Sequence, residues 1–298
     1  MKVVLSGGSG LIGTALIPEL RAAGHEVVRL VRREPQTSDE IRWDPLRGQL
    51  DPTQLAGVEA AIHLSGAGVG SRRWSDSYRR TLLASRIEST NLLSGALAKI
   101  SPLPKVLIAG SAVGFYGDTR DQLTDETGPR GEGFLAELTG AWEASSHTAS
   151  DAGIRVCHLR TGIVLSRAGG ALKLQLPLFK AGLGGRLGSG KQYLSWVTID
   201  DEVAAILFLL TAEQVSGAVN VVAPNPVTNL EFTKTLGSVL RRPTITPAPA
   251  FALRILLDGF ADEGLLIGQR LAPRVLQDAG FTFRHPELNG ALKAVLAK

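Results

Sequence analysis

Cysteine is almost missing from this chain: there is one, Cys157, in 298 residues. A single thiol excludes an intrachain disulfide and fits a reducing compartment, so a cytoplasmic protein is expected. Cys157 lies inside an apolar strand pattern, where it reads as a small core residue. A surplus of one charge is missing too. The formal net charge is +4, and the basic residues come as scattered pairs: Arg32 with Arg33, Arg72 with Arg73, Arg79 with Arg80, and Arg241 with Arg242. Scattered pairs make solvated faces or single anion contacts and give no nucleic-acid surface. The longest apolar run, 203–210, is far short of the roughly 20 residues that span a bilayer, so no membrane partner is expected. The N-terminus runs directly into a strand pattern with no apolar leader ahead of a cleavage site, and no signal peptide is expected. No internal repeat or low-complexity segment occurs. What the chain has is 44% hydrophobic residues, enough to bury a large core in one large domain or two small ones.

The most informative stretch is Ser6-Gly7-Gly8-Ser9-Gly10-Leu11-Ile12-Gly13. It follows the apolar run 3–5 and opens a helical pattern with Leu11, Ile12, Ala15, Leu16 and Leu20 on one face. Strand, glycine turn and helix in this order put bare N–H groups and the positive end of a helix dipole at one point, where a diphosphate is the usual occupant. The spacing is GxxGxxG, and on its own it also describes an ordinary strand-to-helix turn. A second apolar strand, 26–31, ends in Leu30-Val31-Arg32-Arg33. An acidic residue there would take the ribose 2′-hydroxyl of NAD. A guanidinium suits the 2′-phosphate of NADP, against the plainer reading of two surface arginines.

Further strands repeat the pattern of apolar run and small-residue end. The strand 59–64 leads into Ser65-Gly66-Ala67-Gly68, and His63 within it reads as a hydrogen-bonded structural histidine. A long helix covers 74–99, and the strand 105–109 ends in Gly110-Ser111-Ala112-Val113-Gly114-Phe115-Tyr116-Gly117-Asp118. A hydroxyl at such a place can hold a substrate oxygen, although turn serines are also common. A helix over 134–150, a strand over 156–160, an amphipathic helix over 172–180, a buried helix over 200–210 and a last strand over 217–222 follow. Helical patterns dominate from Thr228 on, with Pro243, Pro247 and Pro249 in an extended connection.

The glycine turn, the strand end His63-Leu64-Ser65-Gly66-Ala67, the Ser111–Gly117 segment and Glu126-Thr127-Gly128-Pro129 together resemble the extended short-chain dehydrogenase/reductase superfamily. Within it, the chain is similar to the atypical epimerase-like subgroup, sometimes labelled nucleoside-diphosphate-sugar epimerase or cell division inhibitor. The likeness continues through Arg160-Thr161-Gly162-Ile163-Val164-Leu165, Gly188-Ser189-Gly190-Lys191-Gln192, the stretch 195–201, the stretch 223–229 and a C-terminal segment around Gln269-Arg270. It implies an α/β fold, a Rossmann-type doubly wound parallel sheet over 1–165 and 195–222. A smaller, mostly helical substrate lobe would take 166–194 and 223–298.

The resemblance also implies a site. NADP(H) would lie along Gly7, Ser9, Gly10, Leu11, Ile12 and Gly13, with Arg32 on the 2′-phosphate beside Val31. His63, Leu64, Ser65 and Gly66 would line the adenosine side mainly through backbone. Arg86 would reach the cofactor and Arg160 would lie near its nicotinamide half. Ser111 matches the catalytic serine. The tyrosine and the lysine four residues later that move the substrate proton in active members fall on Leu135 and Thr139, which cannot do so. The 134–150 stretch has neither Tyr nor Lys. Tyr116 is the nearest replacement, with Asp118 and Glu126 as further candidates, and a packed turn aromatic is its other reading. Lys191, Gln192 and Trp196 near the interlobe cleft could meet a small polar substrate, conceivably a nucleotide sugar. No metal ligand is assigned, and a homodimer through the long helix is the superfamily habit. Two functions remain: an NADP(H)-dependent oxidoreductase or epimerase, and an NADP(H)-binding sensor or docking protein without turnover.

Overall fold

The structure, a computed structural model, describes residues 1–297. In chain order its strands are β1 (Lys2–Ser6), β2 (Glu26–Val31), β3 (Glu40–Arg42), β4 (Ala60–His63), β5 (Val106–Ala112), β6 (Arg155–Thr161), β7 (Ile163–Leu165), β8 (Tyr193–Leu194), β9 (Trp196–Thr198), β10 (Gly217–Val221) and β11 (Val227–Thr228). Seven of them form one sheet in the order β10-β6-β5-β4-β1-β2-β3, every pair parallel. The chain leaves β1 in one direction, through β2 and β3, then returns to β4 on its other side. The strand order therefore reverses between β1 and β4, and in an open parallel sheet the ligand crevice lies at that reversal. β7 pairs with β9 and β8 with β11 outside the main sheet.

Alternation along the strands sorts the core into two layers. Val3 and Leu5 of β1, Ile62 of β4, Ile108 of β5 and Leu159 of β6 face α1 (Leu11–Ala22), where Leu16 and Leu20 are fully buried. Their neighbours Val4, Ala61, Leu107 and Val156 face the other way, toward Leu93 and Leu97 of α2 (Asp76–Leu97). Each such leucine contributes roughly 1.5–3 kcal/mol by leaving water. α2 starts later than its apolar pattern suggests, because Ser75 accepts the Tyr78 N–H and caps it, while Trp74 stays outside the helix, buried.

The 134–150 stretch is two helices, α3 (Phe134–Ala144) and α4 (His147–Asp151). Between them Ser145 and Ser146 hydroxyls donate to the carbonyls of Trp142 and Glu143, the local competition by which serine interrupts a helix. β5 runs on to Ala112, so Ser111 belongs to the strand and not to the turn after it.

The remaining helices are α5 (Gly170–Lys180), α6 (Ile199–Thr211), α7 (Asn229–Leu240), α8 (Ala250–Leu257), α9 (Arg274–Asp278) and α10 (Leu288–Ala297). α6 packs beside α1 on the sheet. α5, α7 and α10 enclose a separate core of Leu172, Phe179, Trp196, Phe232, Leu236 and Leu292. Asp201, fully buried in the first turn of α6, accepts the N–H groups of Arg284 and His285 and so ties the C-terminal segment to the sheet layer. Among the described residues no helix is long and apolar enough to cross a membrane.

Candidate functional site

The glycine turn sits at the reversal point. Gly7 has φ +75°, and a Cβ there would lie 2.6 Å from the Leu64 carbonyl carbon. The turn after β1 and the strand end after β4 are thus in backbone contact. A Cβ on Gly13 would lie 2.3 Å from the Gly7 oxygen, which lets the first turn of α1 lie on the loop. Gly10, the N-cap of α1, offers no side chain to the first N–H groups, leaving these donors to a ligand or water. A groove of about 810 Å³ opens beside them, bounded by Ser9, Gly10 and Leu11 on one wall and Ser166, Arg167 and Gly169 on the other. Such a cradle fits a dinucleotide diphosphate.

The two arginines after β2 separate in role. Arg33 forms a two-pronged pair with the buried Glu40, at 2.6 and 2.8 Å. Arg32 is exposed, and no hydrogen bond or ion pair is found for it among the described residues. His63 is fully buried, with Ser6 Oγ 2.5 Å from Nδ1 and Ser89 Oγ 3.1 Å from Nε2. Burial pulls it down to about 4, so it is neutral at pH 7. Arg86 is 92% buried yet has no carboxylate partner among the described residues. Its Nη2 donates to Ala67 O at 2.9 Å, its Nη1 to Leu82 O at 3.2 Å, and the guanidinium lies 5.0 Å from the Trp142 ring centroid. Burial lowers it to about 10. A cation kept inside beside Gly66 without a counter-ion is a place for an anion.

At the end of β5 a second cluster closes on itself. Ser111 Oγ donates to Glu143 Oε1 at 2.6 Å, and Arg160 grips both oxygens of Glu143 at 2.8 and 2.9 Å. Arg160 Nη1 donates to the Tyr116 hydroxyl at 2.9 Å, and that hydroxyl donates to Asn220 Oδ1 at 2.7 Å. The Arg160 guanidinium also lies 3.4 Å from the Phe115 ring centroid. Burial alone would raise Glu143, but the hydrogen bonds from Arg160 and Ser111 outweigh it and hold the carboxyl below its ordinary value. Burial raises the Tyr116 phenol.

Two chemical consequences follow. The Ser111 hydroxyl donates to the Glu143 carboxylate, which leaves its oxygen lone pairs facing a ligand. The Tyr116 ring is buried and its proton is committed to Asn220. This geometry matches the packed turn aromatic, and to serve as a proton donor the phenol would have to exchange Asn220 for a substrate oxygen.

Glu143 carries only a weak sequence signal: Leu135, Thr139 and Glu143 recur every fourth residue and share one face of α3. Leu135 and Thr139 meet Gly114, at 3.3 and 3.7 Å from the place of its Cβ, and the Thr139 hydroxyl donates to Leu135 O. Asn220 carries no signal: it is 104 residues from Tyr116. Arg167 gave none either. Gln192 donates to Leu187 O and Leu265 O, and Trp196 to Asn225 O. Lys191 is exposed. Asp118 accepts the N–H groups of Arg120 and Gly268, and Glu126 those of Asn220 and Val275.

Residues 3–222 match the family described as NAD dependent epimerase/dehydratase, and residues 248–295 match a domain of unknown function, DUF1731. The chain is 48% identical to the epimerase family protein Mb2239 of Mycobacterium bovis, over 97% of this chain and 96% of the relative. The crystal structure of human epimerase family protein SDR39U1 (isoform 2) with NADPH superposes with a TM-score of 0.93 at 35% identity, covering 100% of this chain and 99% of that one. A nucleoside-diphosphate sugar epimerase from Corynebacterium glutamicum gives a TM-score of 0.81 at 36% identity, covering 99% of this chain and 57% of that one. Crevice, glycine turn and family match agree, and the chain belongs to the NAD-dependent epimerase/dehydratase family, with the extended short-chain dehydrogenase/reductase fold.

Proposed function

We propose that this chain holds NADP(H) in the crevice between β1 and β4 and uses it as an oxidoreductase or epimerase on a small polar substrate, a nucleotide sugar being the first class to try. The observation that carries the cofactor choice is the division of the arginine pair: Glu40 occupies Arg33 and leaves Arg32 for a 2′-phosphate. The NADPH bound by human SDR39U1 supports it. The uncapped start of α1 and the unpaired Arg86 supply the positive environment that a diphosphate needs. The dinucleotide part takes 1–165 and 195–222, and the substrate lobe 166–194 and 223–298. With its proton on Glu143, Ser111 offers lone pairs that suit a substrate alcohol, as in the oxidation of a sugar hydroxyl.

One observation favours a second reading, an NADP(H)-binding sensor or docking protein without turnover. α3 carries neither Tyr nor Lys, and the protons of Ser111 and Tyr116 both point into the protein. Calorimetric titration and nicotinamide absorbance separate the two. Arg32→Ala should weaken NADPH by roughly 10–100-fold and leave NADH nearly unchanged, the range of a hydrogen bond to a charged group. Equal weakening of both removes the 2′-phosphate assignment. Hydride transfer with a panel of nucleotide sugars, lost in Ser111→Ala, supports the enzyme. Tight NADPH binding with no turnover across the panel supports the sensor.

A further inference from the structure

Residues 258–266 contact the loop after β4 and the start of α3 on one side and Gln192 on the other. On the dinucleotide side the Phe260 ring lies 5.6 Å from the Trp74 ring, and its Cε1 is 3.1 Å from the place of a Cβ on Gly70, so it sits on the loop after β4. Glu263 Oε2 accepts the Leu135 N–H at 2.8 Å. That N–H belongs to the first turn of α3, whose own N-cap, Gly133, has no side chain to offer. On the lobe side Gln192 Nε2 donates to Leu265 O at 3.1 Å.

The segment is held at its ends in unequal ways. After it, Gly268 donates to Asp118 Oδ1 and accepts the Thr119 N–H, a firm stitch. Before it stands α8, which buries none of its residues; Phe251, Ile255 and Leu256 are all exposed. Only the exposed Arg254–Asp262 pair joins that helix to the segment by an ion pair. The joint itself, Asp258, has φ +56° and ψ −144°, a region that only glycine enters without strain. Such a conformation persists only where surrounding contacts impose it, and it collects at clamps and switches. The next residues wind as one wide π-type turn, Ala261–Leu265, closed by Leu266 N–H on Ala261 O at 2.9 Å. Turns of this kind also concentrate at functional sites.

We propose that residues 258–266 are a lid over the crevice, latched by Glu263 on α3 and by Phe260 on the loop 66–74, and loaded by the strained joint at Asp258. The lid lifts about Asp258 and Gly268 to exchange cofactor and substrate. Its release uncaps α3, the helix that holds Glu143 against Ser111, so opening loosens the site and closing sets it. The inference rests on the crevice being the NADP(H) site.

Two variants should move the lid in opposite directions. Glu263→Gln removes the charge from the latch and weakens the cap. Amide exchange of 259–266 and of the first turn of α3 should rise about fivefold, and NADPH release, followed by stopped-flow fluorescence, should quicken by a similar factor. Asp258→Gly relieves the joint while keeping the closed path, so exchange and release should both slow, by about fivefold or more. Shifts of the same sign in both variants, or no shift in the exchange of 259–266, overturn the lid. If the wild-type protein binds no NADPH, the cofactor reading alone fails, and exchange measured without cofactor still decides the latch by the same signs.

Discussion

Glu202→Gln should flatten the pH dependence of stability. Glu202 lies in the first turn of α6 with no exposed surface. Its Oε1 accepts a hydrogen bond from Thr161 Oγ1 at 3.0 Å, and its Oε2 is buried with no partner among the described residues. Burial pushes the carboxyl up to about 8 from an ordinary 4.5. The native protein therefore keeps the proton at neutral pH while the unfolded chain has lost it. Below pH 4.5 both states are protonated and Glu202 costs nothing on this account. As pH rises from there the unfolded chain ionises first, so stability falls, and the fall continues until the native carboxyl also ionises near pH 8. At about 1.36 kcal/mol for each pH unit of that gap, the loss reaches roughly 3 kcal/mol by pH 7 and roughly 5 kcal/mol above pH 8. Glutamine keeps the shape and cannot ionise. Urea unfolding of both proteins across this range should show the wild type losing stability relative to the variant, by several kcal/mol between the acid and alkaline ends. Parallel stability curves would refute the reasoning, since they would mean that Glu202 ionises alike in both states.

Tyr116→Phe leaves Arg160 Nη1 and Asn220 Oδ1 without their shared partner inside the protein. It should lower stability by about 1–3 kcal/mol while NADPH affinity stays unchanged, and a variant as stable as wild type in urea would contradict the joining of Arg160 to Asn220 through the Tyr116 hydroxyl. Gly13→Ala places a methyl 2.3 Å from the Gly7 oxygen, so calorimetry should show NADPH binding lost or reduced by orders of magnitude; unimpaired binding would mean that the diphosphate lies elsewhere.

The sheet was legible because parallel strands buried on both faces read as short apolar runs, and because small residues recur at their carboxyl ends. The cofactor cradle was legible for a related reason: glycine spacing is a local property, and Gly7, Gly10 and Gly13 answer to one turn. The polar cluster was not. Ser111 meets Glu143 across 32 residues and Tyr116 meets Asn220 across 104. A hydroxyl's direction is set by partners that folding brings from elsewhere, so its sequence position cannot tell a group facing substrate from one facing inward. The break at Ser145 and Ser146 was equally hidden, since both residues fit a helix pattern until their hydroxyls take backbone carbonyls.

Several inner contacts of the main sheet and its helices reach forward to residues far downstream in the chain. The first turn of α3 waits for Glu263, Asp201 for the N–H groups of Arg284 and His285, and Glu126 for Val275. A chain emerging from the ribosome can pair β1 through β6, yet it cannot cap α3 or satisfy Asp201 until residues 263–285 appear. Completion of the sheet and its helices thus waits for residues 263–285, and a chain truncated before residue 258 loses contacts to α3, Glu126 and Asp201, all far upstream of the cut.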